Sequence, residues 1–233
     1  MVGGEVIVDL RPGQQGWREF MRTIVRTVRT HVHSRCGTLF REPVALMVRR
    51  FDPERRDRII DAAIDCIAEE GVAGTSHRKV ALRADVPLGS MTYHFASMDE
   101  LLIEAFTRFT ATIAAAFEQR MDDLPDPDAA LDAIVDLIHV DLQRSNREQV
   151  LTYELYTLAA RHARFRVITD QWMRASRAAL GRHFPPDTAR ILDAYVEGAA
   201  MHIALDTDPQ DRALTRAALD SLTSVIAAQP RSK

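Results

Sequence analysis

The stretch Val86–Glu100, VPLGSMTYHFASMDE, holds two helix starts with an aromatic cluster between them. Pro87 suits the first helical position, where a missing N–H costs nothing, and the helix it opens has room for about two turns before Tyr93, His94 and Phe95. Ser97 and Glu100 then form an S-x-x-E capping box, in which each side chain takes a free backbone N–H of the next helix. The spacing predicts a short helix between firm punctuation, the recognition half of a helix-turn-helix.

Toward the N-terminus, Thr75 and Ser76 cap another short helix, His77 to Ala84, with Val80 and Ala81 inward and Arg78, Lys79 and Arg83 accessible. Asp85 is the turn residue, of a type that tolerates left-handed backbone better than most non-glycines. Before it, Asp52 and Pro53 read as the N-cap and N1 of a longer helix. Its apolar face is Ile59, Ile60, Ala63, Ile64, Ile67 and Ala68, and Gly71 ends it. Three helices, long-short-short, make a helix-turn-helix domain.

The order of Thr75-Ser76, Val80-Ala81, Ala84, Val86, Gly89, Tyr93-His94-Phe95 and Leu101-Leu102 resembles the amino-terminal domain of TetR-type (TetR/AcrR) transcriptional regulators, between Arg55 and Phe106. The resemblance implies an all-α chain with an N-terminal three-helix DNA-binding domain, residues 47–97, and a helical ligand-binding and dimerisation domain, residues 98–233. It implies a homodimeric repressor on a palindromic double-stranded operator, released by a small-molecule inducer. The candidate DNA contacts are Thr75, Ser76, Arg78, Lys79, Leu88, Gly89, Ser90, Thr92, Tyr93 and His94. Leu88, Ser90 and Thr92 are expected to face bases, and Ser76, Arg78, Tyr93 and His94 to hold backbone. The chain departs from the family where it carries Asp85 for glycine, Thr92 for an aromatic and Met98 for lysine. The last two remove usual phosphate contacts, so an alternative reading is a helical small-molecule receptor that has lost DNA binding.

Charge is unevenly spread along the 233 residues, whose net is −3. Residues 1–46 carry 7 arginines against 4 acids, residues 47–97 carry 8 basic against 8 acidic, and residues 98–233 carry 15 against 21. A neutral DNA-binding domain must rely on the placement of Arg55, Arg56, Arg58, Arg78, Lys79 and Arg83 rather than on its total charge. No apolar run approaches the roughly 18 residues of a membrane span, and no apolar leader opens the chain, so no membrane association and a cytoplasmic location are expected. Cys36 and Cys66 are the only cysteines, and Cys66 reads as a small buried core residue.

Residues 1–46 form an extension of different character. Trp17, Phe20, Met21, Ile24, Val25, Val28 and Val32 recur at helical spacing with Arg18, Arg22, Arg26 and Arg29 between them. The extension is read as unstructured, dispensable or the product of an upstream start, since Met47 makes a natural beginning.

Beyond Ser97 the pattern predicts helices over 97–121, 127–144, 147–161, 164–183, 187–206 and 210–227. Polar and aromatic residues on inward faces nominate a pocket of Phe117, His139, Tyr153, Glu154, Tyr156, Trp172, Met173 and His202, with Gly198 leaving space beside His202. In the resembled family the last two helices form the dimer interface, which here nominates Ala194, Gly198, Ala199, Leu214, Ala218, Leu222 and Val225. The histidines show no ligand spacing, so no metal and no cofactor are expected. Enzymatic chemistry is not expected either: Ser90 lies in no G-x-S-x-G elbow, and Asp136 and Asp141 diverge from His139 at helical spacing.

Overall fold

The carboxylate of Asp52 accepts the Glu54 N–H at 3.2 Å and the Arg58 guanidinium at 2.7 Å. It thus makes a turn ahead of the first helix rather than its N-cap, and α1 (Arg55–Gly74) opens later than the cap pattern predicts. A computed structural model of the chain describes residues 52–122, 124–142, 146–208 and 210–228. The extension over residues 1–46, Met47 and Cys36 lie outside the described residues.

Within α1 the helix breaks at Gly71, with φ 70° and ψ 173°, a backbone region that is essentially glycine's own. Past the break the Val72 N–H donates to Glu154 Oε2 at 3.1 Å, and the Thr75 hydroxyl turns back to the Gly71 carbonyl at 2.8 Å. Ser76 then caps α2 (His77–Arg83), accepting the Lys79 N–H at 3.4 Å. Asp85 takes φ 53°, the left-handed turn expected of it, and Val86 N–H closes on the Ala81 carbonyl at 3.0 Å. Pro87 stands immediately before α3 (Leu88–His94), and Ser97 caps α4 (Met98–Met121) by accepting the Glu100 N–H at 3.1 Å. The Glu100 carboxylate accepts from Ala96, one residue further out than in the standard box.

Asp126 caps α5 (Pro127–Asp136) through the Ala129 N–H, with Pro127 at its first turn. The predicted helix over 127–144 is not uniform: residues Leu137–Asp141 form a π-helical turn, closed by the Leu142 N–H on the Leu137 carbonyl at 3.1 Å. Then follow α6 (Asn146–Arg161), α7 (Ala163–Leu180), α8 (Pro186–Leu205) and α9 (Arg212–Ala228). The described residues contain nine α-helices and no strand.

Two apolar cores organise these helices. The first joins Ile59, Ile60, Ile67, Val80, Met91 and Phe95 of the helix-turn-helix to Leu101 and Phe106 of α4, Leu151 and Leu155 of α6 and Phe165 of α7. The second gathers Phe117 and Met121 of α4, Leu131 and Ile134 of α5, Leu180 of α7, Leu192 of α8 and Leu219 of α9. Each buried side chain of this size is worth about 1.5–3 kcal/mol. The surface pairs that tie α1 to its neighbours, Arg108 with Asp61 at 2.8 Å and Arg147 with Asp65, add far less. Cys66 lies in the first core, where burial pushes its thiol up. No helix among the described residues is long and apolar enough to cross a membrane.

A Cβ at Gly71 would sit 2.7 Å from Glu154 Oε1 as well as straining the backbone, whereas one at Gly89 meets nothing within 4 Å. Gly71→Ala is therefore expected to lower unfolding stability by about 2 kcal/mol, with the melting temperature falling by about 4–8 °C. Gly89→Ala, at an open helical position, should leave it unchanged or slightly raised. Urea titrations of the two variants check both.

Candidate DNA-contact surface and effector cavity

Helix α3 is too short to bury more than Met91, with Phe95 closing its end, so the rest of it is presented outward. Leu88 is 55 % and Tyr93 80 % exposed, so both side chains are presented to solvent from the recognition helix. Gly89 and Thr92 share their exposed side, Ser90 is half-buried, and His94 meets the Tyr93 ring edge-on at 4.9 Å. Met98, at the position of the family's lysine, packs against the first core.

The basic residues around this face are mostly committed. Arg58 pairs with Asp52, Arg56 with Glu104 at 2.9 Å, Arg83 with Glu69 at 2.6 Å, and Lys79 with Glu70 and the Gly74 carbonyl. Among the described residues of the helix-turn-helix, Arg78 is the basic side chain without an ion pair, and it is exposed on α2 beside the cap residue Ser76. Thr75, nominated for DNA, is only 9 % exposed, and its hydroxyl donates to the Gly71 carbonyl in the turn ahead of α2.

Between the two cores α4, α6, α7 and α8 enclose a cavity of about 450 Å³. Phe109, Ile113, Phe117 and Arg120 of α4 form one wall, and Glu148, Gln149, Thr152 and Tyr153 of α6 another. Trp172 and Ser176 of α7 and Asp193, Val196, Glu197, Ala200 and Met201 of α8 complete it, with Leu137 and Leu142 from the π-helical turn and its end. Phe109 meets Trp172 edge-on at 6.1 Å, and Tyr156 stacks on Trp172 at 6.1 Å. The Tyr156 hydroxyl donates to Glu197 Oε2 at 2.8 Å.

The two carboxylates of α8 differ. Asp193 is 5 % exposed and is met by Arg177 Nε at 2.9 Å. Among the described residues, Glu197 is met by the neutral Tyr156 hydroxyl alone. Burial pushes its carboxyl above the usual range against the Tyr156 hydrogen bond, and Asp193 adds to the rise. Burial also raises the Tyr156 and Tyr153 hydroxyls, with the Glu197 charge reinforcing both.

Of the residues nominated from sequence, Phe117, Tyr153 and Trp172 line the cavity and Tyr156 backs it. Four do not. The π-helical turn inserts an extra residue, swinging His139 to Thr215 of α9, where their side chains share a hydrogen bond of 2.8 Å and burial lowers the imidazole pKa, the nearby Arg212 adding to that. Glu154 lies round α6 from Thr152 and Tyr153 and faces α1 instead. Met173 is one residue, about 100°, off the Trp172–Ser176 line. His202 is exposed and shares the outer side of α8 with Gly198, whose missing side chain faces open space. Residues missed from sequence include Gln149, Thr152, Ser176, Asp193 and Glu197. The signal for the last two was present in DAYVEGAA, residues 193–200, where carboxylates four apart sit in a run of small and apolar residues.

On the outer side of α8 and α9, Ile191, Ala194, Gly198, Leu205, Ala217 and Leu214, the last 69 % exposed, leave an apolar surface. Ala199 packs in part on the second core, Ala218 and Leu222 are half-buried, and the Val225 side chain lies outside those described. No group of three or more potential metal ligands occurs among the described residues.

Residues 59–105 match the family described as bacterial regulatory proteins, tetR family, and residues 125–225 match the tetracyclin repressor-like C-terminal domain. The structure of SCO7518 from Streptomyces coelicolor A3(2) is 52 % identical, covers 74 % of this chain and 99 % of its own, and superposes with a TM-score of 0.71. The multidrug binding protein EbrR, solved in complex with ethidium, is 38 % identical over 73 % of this chain and 99 % of its own, with a TM-score of 0.61. The HTH-type transcriptional regulator BetI of Klebsiella pneumoniae is 27 % identical over 187 residues, 74 % of this chain and 91 % of that protein.

If Arg78 meets a phosphate, Arg78→Ala should weaken DNA binding across sequences and reduce the slope of log affinity against log salt by about 1. Arg83→Ala, whose charge is already paired with Glu69, should change that slope much less. Fluorescence anisotropy at several salt concentrations distinguishes the two.

Proposed function

The chain belongs to the TetR family of bacterial regulatory proteins, a DNA-binding transcriptional regulator with a ligand-binding C-terminal domain, and from that premise we propose that it is a homodimeric repressor of a palindromic operator released by a small aromatic or largely apolar inducer. Such a protein works in the cytoplasm, where its DNA is. The observation that carries the reading is α4: its first half, Leu101 to Phe106, packs on α1 in the core that also holds Met91 and Phe95 of the recognition helix and its end, and its second half, Phe109 to Arg120, is a wall of the cavity. The ethidium complex of EbrR supports an aromatic occupant.

The apolar outer face of α8 and α9 is the surface that a second copy would cover, with Gly198 allowing close helix approach. A two-fold dimer would repeat the helix-turn-helix, so the operator half-sites should lie about 34–36 Å apart or a multiple of it. Leu88, Gly89, Ser90 and Thr92 would read bases, and Ser76, Arg78, Lys79, Tyr93 and His94 would hold backbone. Lys79 would have to leave Glu70 to do so. An inducer acts by binding the DNA-incompetent spacing more tightly, and a difference of about 3 kcal/mol weakens operator binding roughly 150-fold.

Two outcomes are expected. Leu214→Glu should convert the dimer to monomer by analytical ultracentrifugation and abolish binding to a two-half-site operator. Trp172→Ala should leave operator affinity near normal in gel-shift titrations while impairing release by an acridine or phenanthridine dye at least about tenfold. Normal release by Trp172→Ala with unchanged dye affinity would remove the cavity from the mechanism.

A further inference from the structure

The aromatic wall of the cavity is shared by any flat apolar ligand, but its charge is not neutral to all of them. On α8 the Asp193 charge is answered by Arg177, while the Glu197 carboxylate, one turn further along the same wall, has the Tyr156 hydroxyl alone among the described residues. Tyr156 holds Oε2 from behind, and Oε1 has no hydrogen-bond partner among the described residues. Trp172, stacked on Tyr156, and Tyr153 present ring surface to the same space, and ring faces attract cations.

We infer that the effector is a flat organic cation, aromatic or quaternary, seated between Phe109, Trp172 and Tyr153 with Glu197 as its counter-ion and Tyr156 as the group that aims that carboxylate. This deepens the proposed effector reading and rests on it. A carboxylate removed from water gains most from an arriving positive charge, and the rise already imposed on Glu197 by burial is the measure of what its ionised form lacks in the empty cavity. A neutral ligand of the same shape gains only the apolar and ring contacts. An anion would meet the unanswered Glu197 carboxylate on this wall and is disfavoured there. Arg120 shares the wall, so the preference is for a cation whose charge reaches α8 and not merely the cavity.

The test uses two probes of one shape, 10-methylacridinium and acridine, at slightly alkaline pH where acridine is uncharged. Each is titrated calorimetrically into the full chain, and operator release is followed by gel shift. The cation should bind at least about tenfold more tightly, as a charge-assisted contact requires. Glu197→Gln, which keeps an acceptor for Tyr156, should reduce the preference to less than about threefold while leaving acridine affinity unchanged, and Glu197→Asp should retain part of it. Unchanged acridine binding certifies that the variant is folded with its cavity intact. Equal binding of the two probes, or a preference that survives in Glu197→Gln, overturns the counter-ion and leaves the effector cavity standing. If neither probe binds and neither releases operator, both the cation and the aromatic effector site are overturned.

Discussion

A single carboxylate holds the break on which the helix-turn-helix is built. At Gly71 the backbone leaves helical geometry, and the Val72 N–H beyond it would be an unpaired donor without Glu154. The break turns the chain so that Thr75 can fold back on Gly71 and Ser76 can start α2, and the orientation of α2 in turn sets Asp85 and α3. Glu154 comes from α6, which offers Thr152 and Tyr153 to the cavity and Leu151 and Leu155 to the first core. A displacement of α6 would therefore reach both the cavity and the Gly71 break ahead of α2.

The cavity follows from the same economy of helices. Helices α4 and α7 each contribute to both cores, α4 with Phe106 and then Phe117, α7 with Phe165 and then Leu180. Where one core gives way to the other, their facing side chains are rings that meet edge-on, Phe109 with Trp172, and not interlocking aliphatics. Rings in edge contact leave angular gaps that close-packed Leu and Ile would fill. The π-helical turn adds to this by bringing Leu137 and Leu142 to the same wall, five residues apart. π-bulges of this kind recur at functional sites because they redirect side chains without ending a helix.

How much of this was legible in sequence depended on whether local rules governed the residue. Ser97, Ser76 and Asp85 act through neighbours within a few residues, and their roles as caps and turn were readable directly. The periodicity of Ile59, Ile60, Ala63 and Ile67 likewise marked a buried face. Cavity residues were readable where helical phase stayed regular, as for Tyr153 and Trp172. His139 was misplaced because no local pattern announced the π-helical turn, and Glu154 because its partner is 82 positions away. Asp193 and Glu197 were passed over since carboxylates usually sit in water, although their spacing on the apolar side of α8 marked them as exceptions.

The neutral charge of the DNA-contact region acquires a physical meaning once the pairs are placed. Arg56, Arg58, Lys79 and Arg83 are largely spent on acids of α1, α4 and the turn before α1, fixing the positions of helices rather than projecting a field. What faces outward on α3 is Leu88, Gly89, Thr92 and Tyr93, with His94 beside them and almost no formal charge. These described residues would neutralise few phosphates of the proposed operator, so counterion release from them would contribute little to affinity. On the proposed operator, discrimination must then come from apolar and hydroxyl contacts at base edges and from the fixed spacing of two copies, which makes the geometry of the dimer the quantity on which binding turns.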